Sequence, residues 1–280
     1  PSTRDSLRAV LAIAEQESSC RVDRAVPNLP AIAWKEIDRR AESAGVPKVA
    51  VRAALSLSSS DGRSYAQRID AVKTERQLSD IFEDFIGMVP MGKTWLAGRN
   101  PVRTGGPMQV GIAFAEGHVS TRRYPYPQPG SVRNEVFTRR GGLYFGIAHL
   151  FDYEAPYDEM RFRFADYNAG RYASRNAAFQ KAVGDLAGVV LELDGDLLRF
   201  EQGRPTKEVS RTETAVRTLA PHFEMTPAEV RRDLELAQSA EFERSRLYLS
   251  VFTMLDGVLE KRAPRAVVPM IVVESFQPTR

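Results

Sequence analysis

The chain has 280 residues, 43% hydrophobic and 27% charged, which describes a folded chain with room for a substantial core and excludes disorder and fibrous repeats. With 39 lysines and arginines against 36 acidic residues, the net charge of +3 is too small and too evenly spread to call for nucleic acid. No run approaches the roughly 18–20 apolar residues of a membrane-crossing helix, and no charged-then-apolar leader opens the sequence, so Pro1 reads as a mature or trimmed start.

In chain order, Leu7, Val10, Leu11 and Ala14 recur at helical spacing and predict an amphipathic helix over Ser6 to Ser18, behind a possible Asp5 cap. A second helix is expected from Ile32 to Ala44, closed by Gly45, and a third from Pro47 to Leu57. Leu78, Ile81, Phe82, Phe85 and Ile86 give a strong helical stripe from Glu75 to Gly87, before a loop rich in Gly and Pro reaching Gly106. Helical periodicity returns over Met108 to Glu116, Leu143 to Leu150 and Arg161 to Asn168. Between Val189 and Phe200, apolar residues flank Asp194-Gly195, which predicts a small β-hairpin turning there. Thr226-Pro227-Ala228-Glu229 carries a cap, an N1 proline and a capping-box glutamate, so a helix starts at Thr226. Another helix spans Phe242 to Leu255, and Ala266 to Ser275 looks extended.

Three candidate chemistries compete. His118, His149, His222 and the single Cys20 show no metal-ligand spacing, so no metal or cofactor is expected, and Cys20 reads as a quiet buried thiol. Gly87 to Thr94 satisfies the phosphate-loop pattern G-x-x-x-x-G-K-[ST]. That pattern needs a strand before it and a helix after it. Here a helical segment precedes it, and Gly98 and Pro101 follow too soon, so the match reads as coincidence. Glu15 and Glu17 stand two apart on the first helix, and only one can share its core-facing side. At about 100° per residue, a stripe that includes Ile13 leaves Glu17 roughly 55° and Glu15 roughly 100° from its centre. Glu17 is therefore the candidate for a partly buried acid, whose burial would keep it protonated enough to give a proton to a leaving oxygen. The plain alternative is a solvated glutamate on the helix flank.

Four segments then fall in a suggestive order: Glu17-Ser18, Gly106-Pro107-Met108-Gln109, Asp166-Tyr167-Asn168-Ala169-Gly170 and Ser245-Arg246-Leu247-Tyr248-Leu249. The order resembles that of the signature segments of lytic transglycosylases of the goose-lysozyme-like, soluble type. The chain departs from the pattern in three respects. Glu17 and Gln109 stand much farther apart than the few tens of residues in compact members, Pro107 replaces the usual leucine, and Asp166 precedes Tyr-Asn. End to end, the arrangement more closely resembles a proteobacterial family of envelope lipoproteins of unknown function.

The resemblance implies a mainly α, lysozyme-like single domain over 1–280, with 27–105 as a helical insertion and 185–204 as a β-hairpin excursion. The motif segments would converge in that one domain. It implies a peptidoglycan lytic transglycosylase that cleaves between N-acetylmuramic acid and N-acetylglucosamine with Glu17 as sole acid and base. The muramic C6 hydroxyl is then the nucleophile, and a second enzyme carboxylate is not required. Ser18, Gln109, Tyr167 and Asn168 would hold glycan groups, Met108 would form an apolar wall and Tyr248 would orient Glu17. The partner would be peptidoglycan in the periplasm, with an outer-membrane anchor through a lipidated N-terminus upstream of Pro1. The alternative function is a catalytically silent envelope lipoprotein that binds glycan or a partner.

Overall fold

The computed structural model describes residues 3–88, 91–127, 130–201 and 204–270. The protein is mainly α-helical, as the periodicity predicts. The chain divides into two compact units, Val10–Ala148 and Pro1–Ala9 with His149–Arg280. Each gathers its own buried apolar clusters.

The first helix, α1, runs Arg4–Ser18. Its buried side differs from the expected stripe. Leu7 and Leu11 are exposed, while Val10, Ile13, Ala14 and Ser18 are buried, so the inward face follows Ile13 toward Glu17. Asp5 lies inside the helix rather than capping it.

In the unit Val10–Ala148, the segment 27–105 is helical: α2 (Leu29–Ser43), α3 (Lys48–Leu55), α4 (Tyr65–Asp70), α5 (Glu75–Met88) and the short α6 (Gly92–Leu96). Helix α2 ends in a Schellman arrangement. Gly45 sits at φ +67°, its N–H donates to the Glu42 carbonyl, and the Val46 N–H donates to the Ala41 carbonyl at 2.8 Å. Helix α4, which the sequence reading passed over, starts at a full capping box between Ser64 and Gln67. Leu29, Ala33, Leu55, Tyr65, Ile69, Val72 and Ile81 form the core of this segment. Next come β1 (Thr104–Gly105), antiparallel to β2 (Val110–Gly111), then α7 (Ile112–Thr121), α8 (Val132–Val136) and α9 (Arg139–Phe151). Helix α7 begins later than the Met108 start expected, because Met108 and Gln109 belong to the β1–β2 turn. Val102, Val110, Ile112, Ala115, Val136, Phe137 and Phe145 form a second core.

The unit His149–Arg280 contains α10 (Met160–Ala169), α11 (Ala173–Ala187), β3 (Phe200–Glu201), β4 (Arg204–Pro205), α12 (Arg211–Leu219), α13 (Pro227–Leu234) and α14 (Arg246–Leu259). Helix α13 has the predicted capping box, with Thr226 and Glu229 each bonding the other's backbone N–H. The helix expected from Phe242 is tighter 3₁₀ structure over Ala240–Arg244, followed by α14 capped by Ser245. Helix α11 is central and nearly wholly buried from Ala173 to Gly184. Its buried polar residues are satisfied: Arg175 donates to the Ala237 and Ser239 carbonyls, and Gln180 to Asp194 Oδ1.

The predicted hairpin is corrected. The ladder pairs Phe200 with Pro205 and Glu201 with Arg204, so the chain does not reverse as a hairpin at Asp194-Gly195. Gly195, at φ +87°, instead lies against α11, where a Cβ would come within 2.8 Å of Ala173 Cα. Leu197 and Leu198 are drawn into the core, and side-chain bonds from Gln180 and Asn176 replace a strand ladder. Of the tail expected to be extended, the Val267 and Met270 N–H groups bond the Ser174 and Leu193 carbonyls, and 271–275 lie outside the described residues.

Candidate functional site

Glu17 sits in the last turn of α1 on the side that carries Ile13, and it is half-buried while Glu15 is exposed. Burial pushes the Glu17 carboxyl up from its ordinary value, against smaller opposing effects of the Gln16 amide and the Arg24 guanidinium. The Gln16 amide donates to Glu17 Oε1 at 3.3 Å. A carboxyl of this kind holds a proton to higher pH than a surface glutamate, which a general acid requires.

The next residue fixes where that carboxyl stands. The Ser18 hydroxyl is fully buried, 2.8 Å from the Pro107 carbonyl and 3.1 Å from the Ala14 carbonyl. With one proton to give, it ties the end of α1 to the Gly106–Gln109 turn. Beyond it, Ser19 and Cys20 both take left-handed backbone and end the helix abruptly.

That turn is seated by small residues. Gly106 is at φ +74°, and a Cβ there would lie 2.4 Å from the Val136 carbonyl oxygen. On α9, a Cβ at Gly142 would meet Pro107 Cδ at 2.6 Å, and one at Gly146 would meet Met108 Sδ at 2.5 Å. Met108 is thus fully buried against α9 and props the turn from inside. Gln109 is half-buried in a left-handed conformation, with its carboxamide oxygen accepting from the Thr104 hydroxyl at 2.9 Å. Glu17, Ser18, Met108 and Gln109 are thereby brought together in one unit.

The remaining candidates belong to the other unit. Tyr167 is half-buried near the end of α10, with its ring edge-to-face with His149 at 5.1 Å. The Asn168 amide donates to the Phe164 carbonyl of its own helix at 2.8 Å. Between α10 and α11, Asp166 is a buried anchor: it accepts from the Tyr153 and Tyr157 hydroxyls and from the Tyr172 and Ser174 N–H groups. Its place before Tyr-Asn therefore has a structural purpose. Tyr248 lies within the core against Phe179, Phe242 and Phe252, and its buried hydroxyl has no hydrogen-bond partner among the described residues. Burial raises that phenol well above its usual range.

Two other expectations resolve here. Gly87 and Met88 end α5, so no strand feeds the phosphate-loop pattern. Val89 and Pro90 lie outside the described residues, and the helix that follows has five residues. Cys20 is exposed rather than buried, because the left-handed exit from α1 turns it outward. Its thiol, 3.3 Å from Glu15 Oε2, is pushed up by that carboxylate and is a poorer nucleophile for it. Among the described residues no group of His, Cys, Asp or Glu is placed to hold a metal, and no helix is long and apolar enough to cross a membrane. Sequence reasoning missed Arg24 and Glu75. A bridge between Ala25 and Thr74 sets these residues side by side, and Arg24 acts on Glu17 and Glu75 alike. No local periodicity signals such a long-range pairing. Arg140 has a structural role, since it holds the buried Glu135 carboxylate together with the Tyr124 hydroxyl.

Comparison with known proteins places the chain in a family. The model of a protein family of unknown function, DUF1615, matches residues 1–280, and the chain belongs to that family. It is similar to a protein of Escherichia coli (strain K12) that carries the name uncharacterized protein YaiW. The two are 51% identical over 278 residues, which cover 99% of this chain and 75% of that protein. No solved structure matches the chain.

Proposed function

We propose that the protein is a peptidoglycan lytic transglycosylase with a lysozyme-like fold in which 27–105 is a helical insertion. The observation that carries this reading is the half-buried Glu17 carboxyl, raised by burial and fixed beside the Met108–Gln109 turn by the Ser18 bond to Pro107. As a carboxylic acid, Glu17 gives its proton to the oxygen bridging N-acetylmuramic acid and N-acetylglucosamine. The bond from muramic C1 to that oxygen breaks, and its electron pair leaves on the glucosamine. The muramic C6 hydroxyl bonds to C1, and its proton passes to the Glu17 carboxylate, which restores the acid. No water is consumed, and the product carries a 1,6-anhydro ring. Gln109, half-buried on the same turn, is the side chain in this unit assigned to hold a sugar. Tyr167, Asn168 and Tyr248 carry their glycan roles by resemblance alone. On this reading the site of action is the periplasm, and the outer-membrane anchor through a lipidated N-terminus remains what the resemblance implies.

The test is digestion of purified murein sacculi. The wild-type chain is expected to release anhydro-muropeptides and Glu17→Gln to release none. A second reading, a catalytically silent envelope protein that binds glycan or a partner, draws on the burial of Ser18, Met108 and Tyr248, whose groups face protein rather than solvent. Sacculus binding without soluble product, with Glu17 intact, would decide for it.

A further inference from the structure

A cavity of about 640 Å³ opens between α2, α3 and α5, within the range of roughly 300–1,000 Å³ typical of small-molecule sites. Leu29, Ala33, Leu55 and Ile81 form its floor, and Phe82 and Phe85 its wall. Ile32 and Val46, which line it too, are left 44% and 42% exposed, large apolar surface that an occupant would cover.

The charges on its lining are unequal. Glu36 is held at about 2 by hydrogen bonds from Arg39 and Arg40, so its charge is already matched. Burial pushes the Glu75 carboxyl up toward its neutral form. Arg103 is exposed on the lining and makes no ion pair among the described residues, and beside it stands the Thr104 hydroxyl. The lining therefore offers one uncommitted cation with an adjacent hydroxyl, above an apolar interior.

We propose that this cavity binds a single linear acyl chain, with the chain among α2, α3 and α5 and its carboxylate at Arg103. Arg103 supplies charge and donors to the carboxylate, while the apolar walls take the methylenes. The site does not depend on the glycan-cleaving reading, although it adjoins that site through the Thr104–Gln109 hydrogen bond.

Calorimetric titration of the whole chain with dodecanoate and tetradecanoate, below their micelle concentrations and beside the matching alcohols, tests the proposal. One saturable site is expected, tightening about fourfold per added methylene. The carboxylate should bind about tenfold more tightly than the alcohol, and Arg103→Ala should erase that difference. Ala54→Trp, which fills the cavity, should abolish binding. If that variant fails to fold, the acid–alcohol comparison in the wild type and in Arg103→Ala decides alone. Absence of saturable binding, equal affinity for acid and alcohol, or flotation with anionic vesicles without binding of the monomeric acids would overturn the proposal. So would a chain that light scattering shows to be a dimer unaffected by the acids.

Discussion

Ser18 shows how one buried hydroxyl can carry a site. Its bond to the Pro107 carbonyl crosses 89 positions of sequence and fixes Glu17 relative to Gln109. Removing it in Ser18→Ala leaves the Pro107 carbonyl without its partner, at a cost of about 1–3 kcal/mol. Urea unfolding should show that loss, and sacculus digestion a further drop, because the turn is no longer held to α1. Unchanged stability would mean that the hydroxyl bond does not hold the turn. The choice of Glu17 over Glu15 was legible from helical angles once Ile13 was counted inward, and exposure follows it. The exposure of Leu7 and Leu11 was not legible, because the stripe Leu7, Val10, Leu11 and Ala14 rested on hydrophobicity, and only its Val10 and Ala14 are buried. Nor was Cys20, whose exposure is decided by two left-handed residues rather than by side-chain type.

Helix elements divide the same way. The Glu75 stripe and the Thr226 capping box could be read locally, since periodicity and caps are written in adjacent residues. Helix α11 could not. Buried around nearly its whole circumference, it has no polar face, and its Arg175, Asn176 and Gln180 look like surface residues until their partners from 194–243 are in place. The seating of the Gly106–Gln109 turn on α9 is a property of paired elements and makes a graded prediction. Gly146→Ala meets the flexible Met108 side chain and should cost about 1–3 kcal/mol. Gly142→Ala meets backbone, with Val136 O at 2.8 Å and Gly106 Cα at 3.0 Å, and should cost more and displace Gln109. Chemical denaturation of both variants checks the order, and equal losses would contradict the close backbone packing described.

At the scale of the whole molecule, buried titratable groups set how stability depends on pH. Burial, with the nearby Arg171, lowers His149 to about 4, below the unfolded value of about 6.5. As pH falls across that interval the unfolded chain takes up a proton that the folded chain refuses, so stability declines from about pH 6.5 toward 4. Glu17 acts in the opposite direction. Its raised folded value means that the folded chain holds a proton the unfolded chain releases, so its effect costs stability as pH rises above the ordinary glutamate range. Titration of the His149 imidazole by nuclear magnetic resonance should show it neutral at pH 6, and a midpoint near 6.5 would refute its burial.

The same carboxyl bears the central claim. Purified sacculi incubated with the wild-type chain and with Glu17→Gln, and the soluble products weighed by mass spectrometry, test it most directly. Muropeptides one water lighter than hydrolysis products are expected from the wild type and none from the variant, whose unfolding midpoint at neutral pH should be no lower than that of the wild type. Hydrolysed reducing ends, or full release by Glu17→Gln, would contradict it.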